Sequence, residues 1–284
     1  MSRRLIVCIS LMVLVFSMSA WACVGSRPWG MGGAFVAVAD DSAAVYWNPA
    51  GLIQLQDKEV QFTTTLAEEG VFRYRNFFAY TEPDVGFGAG GISWIQSRTP
   101  LDGIYTDDHA FAYSYARELS DDFALGVNVR YERRLKDIKD RPRASGYSVD
   151  VGALFAVSSQ LQAGFLLQDV FATTIEWKDG DQVEQTVNFR PGLAWRPGEN
   201  LLLAVDLYNT SKLFDEGSCL RLGGELTAGD LKVRAGADRQ FDVGTVWTAG
   251  IGYGKGPWQV DYAVLTGVDE WQVDVQQVGL TYRF

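Results

Sequence analysis

The chain ends in a strict alternation that closes on an aromatic residue. Val278, Leu280, Tyr282 and Phe284 occupy one parity, and Gln277, Gly279, Thr281 and Arg283 the other. A period of two means a β-strand with unlike faces. A sheet in water has no reason to finish on such an edge, which would present unpaired backbone groups beside apolar side chains. A closed transmembrane barrel does, because its last strand shows one face to lipid and one to the lumen while closure pairs every backbone group. Tyr282 and Phe284 are therefore the candidate C-terminal signal for a barrel-assembly machinery.

The opposite end reads as an export signal over residues 1–22. Arg3 and Arg4 form the charged start, residues 5–16 the apolar stretch, and Ala20-Trp21-Ala22 a small-x-small cleavage site. The mature protein would begin at Cys23, where lipidation is the second reading. No later apolar run approaches the ~20 residues of a membrane helix, so any membrane crossing after cleavage falls to strands. Cys8 leaves with the signal, and Cys23 and Cys219 allow one disulfide but no disulfide framework. The formal charge of −10 becomes −12 without Arg3 and Arg4, which argues against a nucleic-acid partner. Mean hydropathy is −0.04, an average that conceals any chain whose apolar residues alternate with polar ones.

From residue 58 the chain breaks into about fourteen segments of roughly ten residues, separated by turn residues. They are 58–67, 71–81, 85–97, 109–119, 123–135, 146–157, 161–170, 188–196, 201–209, 218–227, 231–239, 243–254, 257–267 and 273–284. An even number puts both chain ends on the periplasmic side. Alternation sends Leu161, Ala163, Phe165 and Leu167, and Leu201, Leu203, Val205 and Leu207, outward. It sends Arg130, Glu132, Asp150, Asp206, Arg221, Glu225, Lys232, Arg234, Asp238 and Asp261 inward, with Arg73 and Arg75 as further lumen candidates. The mixed signs suggest cross-strand ion pairs rather than a selectivity ring. Parity breaks near Gly90-Gly91 and at Gln276-Gln277, where β-bulges are expected. Trp94, Trp177, Trp195, Trp258 and Trp271 near segment ends are candidates for interfacial girdles. Residues 98–108 and 171–187 read as the longer connections, with a hairpin turning at Asp179-Gly180 and projecting beyond the membrane.

Before the first strand stands Ser26-Arg27-Pro28-Trp29-Gly30-Met31-Gly32-Gly33-Ala34-Phe35, then Ala39-Asp40-Asp41 and Trp47-Asn48-Pro49-Ala50-Gly51-Leu52. On its residues alone this is a glycine-rich turn, a short apolar strand, an acidic pair and an Asn-Pro turn. It is too small and too apolar to stand free in water. A lumen of fourteen strands is wider than its own side chains fill, so the segment would serve as a plug. Asp40 and Asp41 either pair with Arg73, Arg75 or Arg130 to hold it shut or simply cap and solvate a turn. Asn48 and Pro49 read as structural.

This block resembles the N-terminal signature of the FadL-like outer-membrane superfamily, and is most similar in its wording to the PorV/PorQ branch. The resemblance implies a fourteen-stranded barrel in the bacterial outer membrane, divided into signal (1–22), hatch (23–56) and barrel (57–284). It marks Met31, Gly32, Gly33, Asp40, Asp41, Asn48, Pro49 and Gly51 as the hatch motif. FadL-like members pass hydrophobic compounds, whereas PorV-like members are accessories that receive type IX secretion substrates. The first expectation is thus passive passage of a small hydrophobic compound, and the second a secretion or surface-attachment accessory with a secreted protein as partner. Outer-membrane lipid surrounds the barrel in either case.

Chemistry finds little support. Gly86-Phe87-Gly88-Ala89-Gly90-Gly91 fits the dinucleotide pattern, but it lies in a strand-like run without the helix N-terminus that holds phosphate. His109, the only histidine, stands beside Asp107 and Asp108 with no nucleophile motif. One histidine and two separated cysteines give no metal-ligand spacing. The expectation is a non-enzyme without a cofactor.

Overall fold

The alternating segments pair in sequence order, and the ring closes where the last meets the first. The computed structural model describes residues 24–67, 74–101, 104–210, 217–241, 243–268 and 273–284. The signal, Cys23, Arg73 and Trp271 lie outside the described residues. The strands are β1 (Glu59–Ala67), β2 (Tyr74–Glu82), β3 (Ala89–Leu101), β4 (Ile104–Ser120), β5 (Phe123–Lys136), β6 (Arg143–Ala156) and β7 (Leu161–Ala172). They continue as β8 (Ile175–Glu176), β9 (Gln182–Val183), β10 (Asn188–Gly198), β11 (Leu201–Tyr208), β12 (Cys219–Ala228), β13 (Leu231–Gln240), β14 (Gly244–Lys255), β15 (Trp258–Thr266) and β16 (Val273–Arg283). Fourteen of them form a closed antiparallel barrel, and β8 and β9 make a separate hairpin.

The seam joins Glu59 of β1 to Arg283 of β16 and runs to Ala67 opposite Val275. The terminal residue takes part. Lys58 N donates to Phe284 O at 3.2 Å, and Phe284 N to Lys58 O at 3.0 Å. Turns at the end that holds this seam are short, as at 121–122, 199–200, 229–230 and 256–257, whereas the opposite end carries the longer connections. On β11 the pattern is direct: Leu201 and Leu203 are exposed, while Leu202, Ala204, Asp206 and Tyr208 are buried. The same parity around the ring exposes Ile92, Phe111, Tyr113, Val129, Leu193, Leu222, Val233, Ile251, Val260 and Leu280 in an apolar belt. Trp195, Trp247 and Trp258 lie on this outer surface.

The core lies inside the ring and belongs to the N-terminal segment. Val24, Met31, Phe35, Val38, Trp47 and Leu52 are all buried in it. The segment contains α1 (Ser26–Gly30), α2 (Ala44–Trp47) and a 3-10 helix (Pro49–Gln54). α1 meets β13, β14 and β15, and the 3-10 helix meets β4, β5 and β6, so the segment spans the ring from one wall to the other. Contact is backbone against backbone. A Cβ on Gly236 would collide with Gly32 and Met31, on Gly223 with Met31, on Gly164 with Val36 and Ala37, and on Gly126 with Pro49 and Ala50. Strand glycines cost conformational entropy, and here they admit a second layer of main chain. Pro49 opens the 3-10 helix, and the Asn48 side chain caps it by accepting from Ala50 N at 3.1 Å.

Several expectations change. β3 and β4 run on as polar extensions to residues 101 and 104, so 98–108 is a strand hairpin rather than a loop. Hydrophobic alternation fades there because charged pairs such as Arg98 and Asp107 replace apolar ones. The ladder through Gly90 and Gly91 is continuous on both sides, so no bulge stands there; Gly91 faces Val45 of α2 instead. In β16 the register shift lies between the partners of Leu265 and Thr266, at Asp274 and not at Gln276-Gln277. A larger irregularity falls in β7, where 168–170 stand opposite the single residue Asp150 and Asp169 adopts a φ of +59°. Trp177 is 2% exposed and belongs to the hairpin's core, not to a girdle.

Replacing Gly236 by valine should dislodge the N-terminal segment and lower the thermal unfolding temperature in detergent, costing about 1–3 kcal/mol. Gly254→Val, whose Cβ would have no neighbour closer than 3.8 Å, should leave it unchanged. Equal melting of the two variants would show that the segment does not brace the barrel.

Candidate functional site

Alternation delivers the inward charges to three places. The first surrounds Arg27 of α1, which is 8% exposed. Its Nε and Nη2 donate to the two oxygens of Glu225 at 2.8 and 3.0 Å, and Nη1 donates to Asp40 at 2.5 Å and Asp41 at 3.1 Å. Arg234 continues the chain, with Nε on Glu225 at 2.6 Å and Nη1 on Asp261 at 2.6 Å. Lys232 lies at its edge and donates to Gln259 at 3.3 Å. Asp40 also receives Arg196 at 3.1 Å. The acidic pair is thus held by Arg27 within its own segment and by Arg196, not by Arg75 or Arg130. The reason is that Arg130 is already occupied by Glu132, Asp150 and Asp169.

The second place anchors the motif backbone. Asp206 Oδ2 accepts from Phe35 N at 2.6 Å and Val36 N at 2.8 Å. Gly32 and Gly33 have φ of +65° and +76°, which side chains resist, and Gly32 N donates to Thr248 Oγ1 at 2.9 Å. Arg221 pairs with Asp238 at 3.3 Å and lies over both Trp47 and Tyr208. Asn48 Nδ2 donates to Val36 O at 2.8 Å and Ala153 O at 3.0 Å, while Gly51 packs directly on Ala39. These contacts hold the N-terminal segment to itself and to the wall.

The third place is open space. A cavity of about 310 Å³ lies at the long-connection end, above Tyr46 of α2 and inside Arg75, Arg130, Arg134 and Arg190. Residues 183–186, leaving the β8/β9 hairpin, line one side of it. The hairpin folds inward: Ile175 packs over Gly146, and Ile175 and Trp177 are buried with Ala144. Lys136 bridges to Asp179 at 2.8 Å and to Asp181, and stands 5.1 Å over the Trp177 ring. This cation and the two apolar residues hold the hairpin against β5 and β6. Its loop turns on Gly180 at a φ of +93°. Sequence reasoning did not single out Arg27, Asp169, Gln185 or Arg190. Arg190 shares the buried parity of β10 with Gly192 and Ala194, but nothing in one strand reveals which neighbour faces it.

His109 stacks between Trp94 and Phe111 on the outer parity, and its Nδ1 accepts from Trp94 Nε1 at 3.3 Å. The glycine pattern at 86–91 runs from a turn straight into β3. Cys219 is buried at the start of β12.

No family model and no curated protein matches the chain. Solved structures do. The Ralstonia pickettii toluene transporter TbuX is 14% identical with a TM-score of 0.67, over 92% of this chain and 98% of that one. The CymD monoaromatic hydrocarbon channel is 13% identical with a TM-score of 0.71, over 95% and 99%. A Pseudomonas aeruginosa FadL homologue is 13% identical with a TM-score of 0.68, over 92% and 98%. The chain has the fold of the FadL-like channels. At these identities the likeness concerns architecture alone, and it extends over nearly the full length of each channel.

Removing one partner from a buried ionic cluster strands the others. Arg27→Met should therefore destabilise the N-terminal segment by about 3–5 kcal/mol, read as protease cleavage within residues 24–56 of a barrel that remains folded. Resistance equal to the parent's would remove Arg27 from this role. Burial raises both carboxyls of the acidic pair. On Asp40 the Arg27 charge overrides burial and holds the group below its usual range; on Asp41 burial prevails, with Asp40 and Glu59 adding to it, and pushes the group up to about 6. A raised carboxyl binds a proton in the folded state that the unfolded chain releases, so its contribution to stability falls as pH rises from about 4 to about 6 and is constant above. Relative to the parent, Asp41→Asn should gain melting temperature progressively across that window. A difference independent of pH would contradict the assignment.

Proposed function

We propose that the protein is an outer-membrane channel of the FadL-like kind that binds a small, largely hydrophobic compound and lets it pass passively, with residues 23–56 as its plug. The observation that carries this reading is a cavity lined by Tyr46 of the segment that fills the lumen. A compound entering from the long-connection side would meet a compartment first and a barrier second. The apolar outer belt and the shared fold with hydrocarbon channels support the membrane setting. The export signal would deliver the chain to that membrane, and the Tyr282 and Phe284 edge would present it to the assembly machinery.

Glu225, Asp150 and Asp261 on the inner wall are engaged with arginines, and Asp206 with the backbone of Phe35 and Val36. Passage requires the plug to yield, and the ionic contacts of Arg27 are the ones that must exchange partners.

The test is native mass spectrometry with lipid extraction on protein purified from its own outer membrane in mild detergent. The expected outcome is a co-purifying apolar small molecule. A co-purifying protein over an empty barrel would replace this reading with the secretion-accessory one of the PorV/PorQ resemblance.

A further inference from the structure

The outward residues of two neighbouring strands change character in the same order along the wall. From the short-turn end, β5 shows Val127 and Val129, then Tyr131, then Arg133. Beside it, β6 shows Val151 and Val149, then Tyr147, then Ser145 and Arg143. The ladder sets Tyr131 opposite Tyr147, with ring centroids 5.1 Å apart, and Arg133 opposite both Ser145 on β6 and His109 on β4. His109 is itself part of the aromatic row, stacked with Trp94 and Phe111. Aliphatic, aromatic and cationic groups in that order match the hydrocarbon, interface and headgroup levels of one bilayer leaflet. The leaflet is the one at the long-connection end, because β5 runs towards the turn at 137–142.

The charges at that level do not cancel. Asp107 pairs with Arg98 and Arg141, and Asp137 with Arg98. Lys139 and Asp140 in the turn offset each other. Arg133 and Arg143 remain, diagonal neighbours on the outer face, and among the described residues no carboxylate lies within 4 Å of either. This surplus stands on a chain whose formal charge is −10. It is also local. On β10, β11 and β12 the last outward residues at the same end are Phe189, Leu207 and Leu220, which carry no charge. Arg239 on β13 stands apart from the pair and donates to Thr245 at 3.1 Å.

The planar fork of arginine matches phosphate, the group that gives anionic membrane lipids their charge. Ser145, opposite Arg133 and two residues from Arg143, adds a hydroxyl donor. Tyr147 and Phe111, 59% and 49% exposed, lay ring surface directly beneath. We propose that the outer face of β4, β5 and β6 at the long-connection end is a docking surface for lipid A, the phosphorylated glycolipid of the outer leaflet. Its phosphate pairs with Arg133 and Arg143, and its chains lie along Tyr131, Tyr147 and the valines below them. The inference rests on the outer-membrane reading of the barrel and not on the passage of any compound through it.

The experiment is native mass spectrometry of the purified full-length barrel in neutral detergent, titrated with diphosphoryl lipid A and, as comparator, with phosphatidylglycerol. A one-to-one lipid A adduct at least about tenfold tighter than that of phosphatidylglycerol is expected. The double variant Arg133→Gln with Arg143→Gln should weaken lipid A at least about tenfold. Lysine at both positions should recover most of the loss, and Arg239→Gln should change nothing. Folding of each variant is checked by the heat-dependent gel mobility of the barrel. Should the double variant fail to fold, Arg143→Gln alone, at an exposed position, should still weaken lipid A about threefold. No lipid A adduct, equal affinity in the parent and the folded glutamine variants, or an equal loss in Arg239→Gln overturns the proposal. Phosphatidylglycerol bound as tightly as lipid A overturns the choice of lipid, and displacement by equimolar inorganic phosphate overturns the lipid itself. Toluene efflux from proteoliposomes made without lipid A reads passage separately. Efflux without a lipid A adduct would sink this surface and spare the channel; the adduct without efflux would do the reverse.

Discussion

A sheet edge leaves a row of backbone groups without partners, so each strand of the wall must find a neighbour on both sides. That requirement closes the ring at Lys58 and Phe284 and sets the register of every strand between them. It also produces the interior. Fourteen strands enclose more space than their inward side chains occupy, and an empty lumen would expose the apolar N-terminal segment to water. The segment and the lumen solve each other's difficulty, and the glycines of β5, β7, β12 and β13 are the places where wall and segment touch main chain to main chain.

The interior is held by charge as well as by packing. Arg27 carries contacts to three carboxylates, two from its own segment and one from β12. Such clusters add little net stability over an apolar equivalent, but they fix one arrangement against others. In a lumen lined by strands of similar composition, that specificity matters, because apolar residues alone would let the segment seat in several ways. The backbone bonds from Asp206 to Phe35 and Val36 serve the same end with direction as well as charge.

Most of the wall was legible because alternation is a local property. The inward parity of Arg130, Asp150, Asp206, Arg221, Glu225 and Arg234 follows from their own strands, and the burial of each agrees. What a single strand does not carry is partnership across the lumen. Arg27 was hidden in a glycine-rich stretch whose wording drew attention to its glycines, and its partner Glu225 lies 198 residues away. The β3 and β4 extensions look like loop in the sequence because the apolar signal ends at the belt while the hydrogen-bonded ladder does not. The hairpin at 175–183 was seen as a hairpin, but its direction depends on Lys136, which no local rule links to Trp177.

Glu59 ties the two ends of the molecule together. One of its oxygens takes Arg283 of the closing strand at 2.6 Å, and the other takes Ser42 N and Oγ at 2.9 and 2.8 Å. The surface that receives the segment is assembled from strands all around the ring, β16 included. A seat of that kind exists only once the ring has closed, so the segment is among the last parts to find its place. Its seating is a record, written in the folded molecule, that closure has been completed.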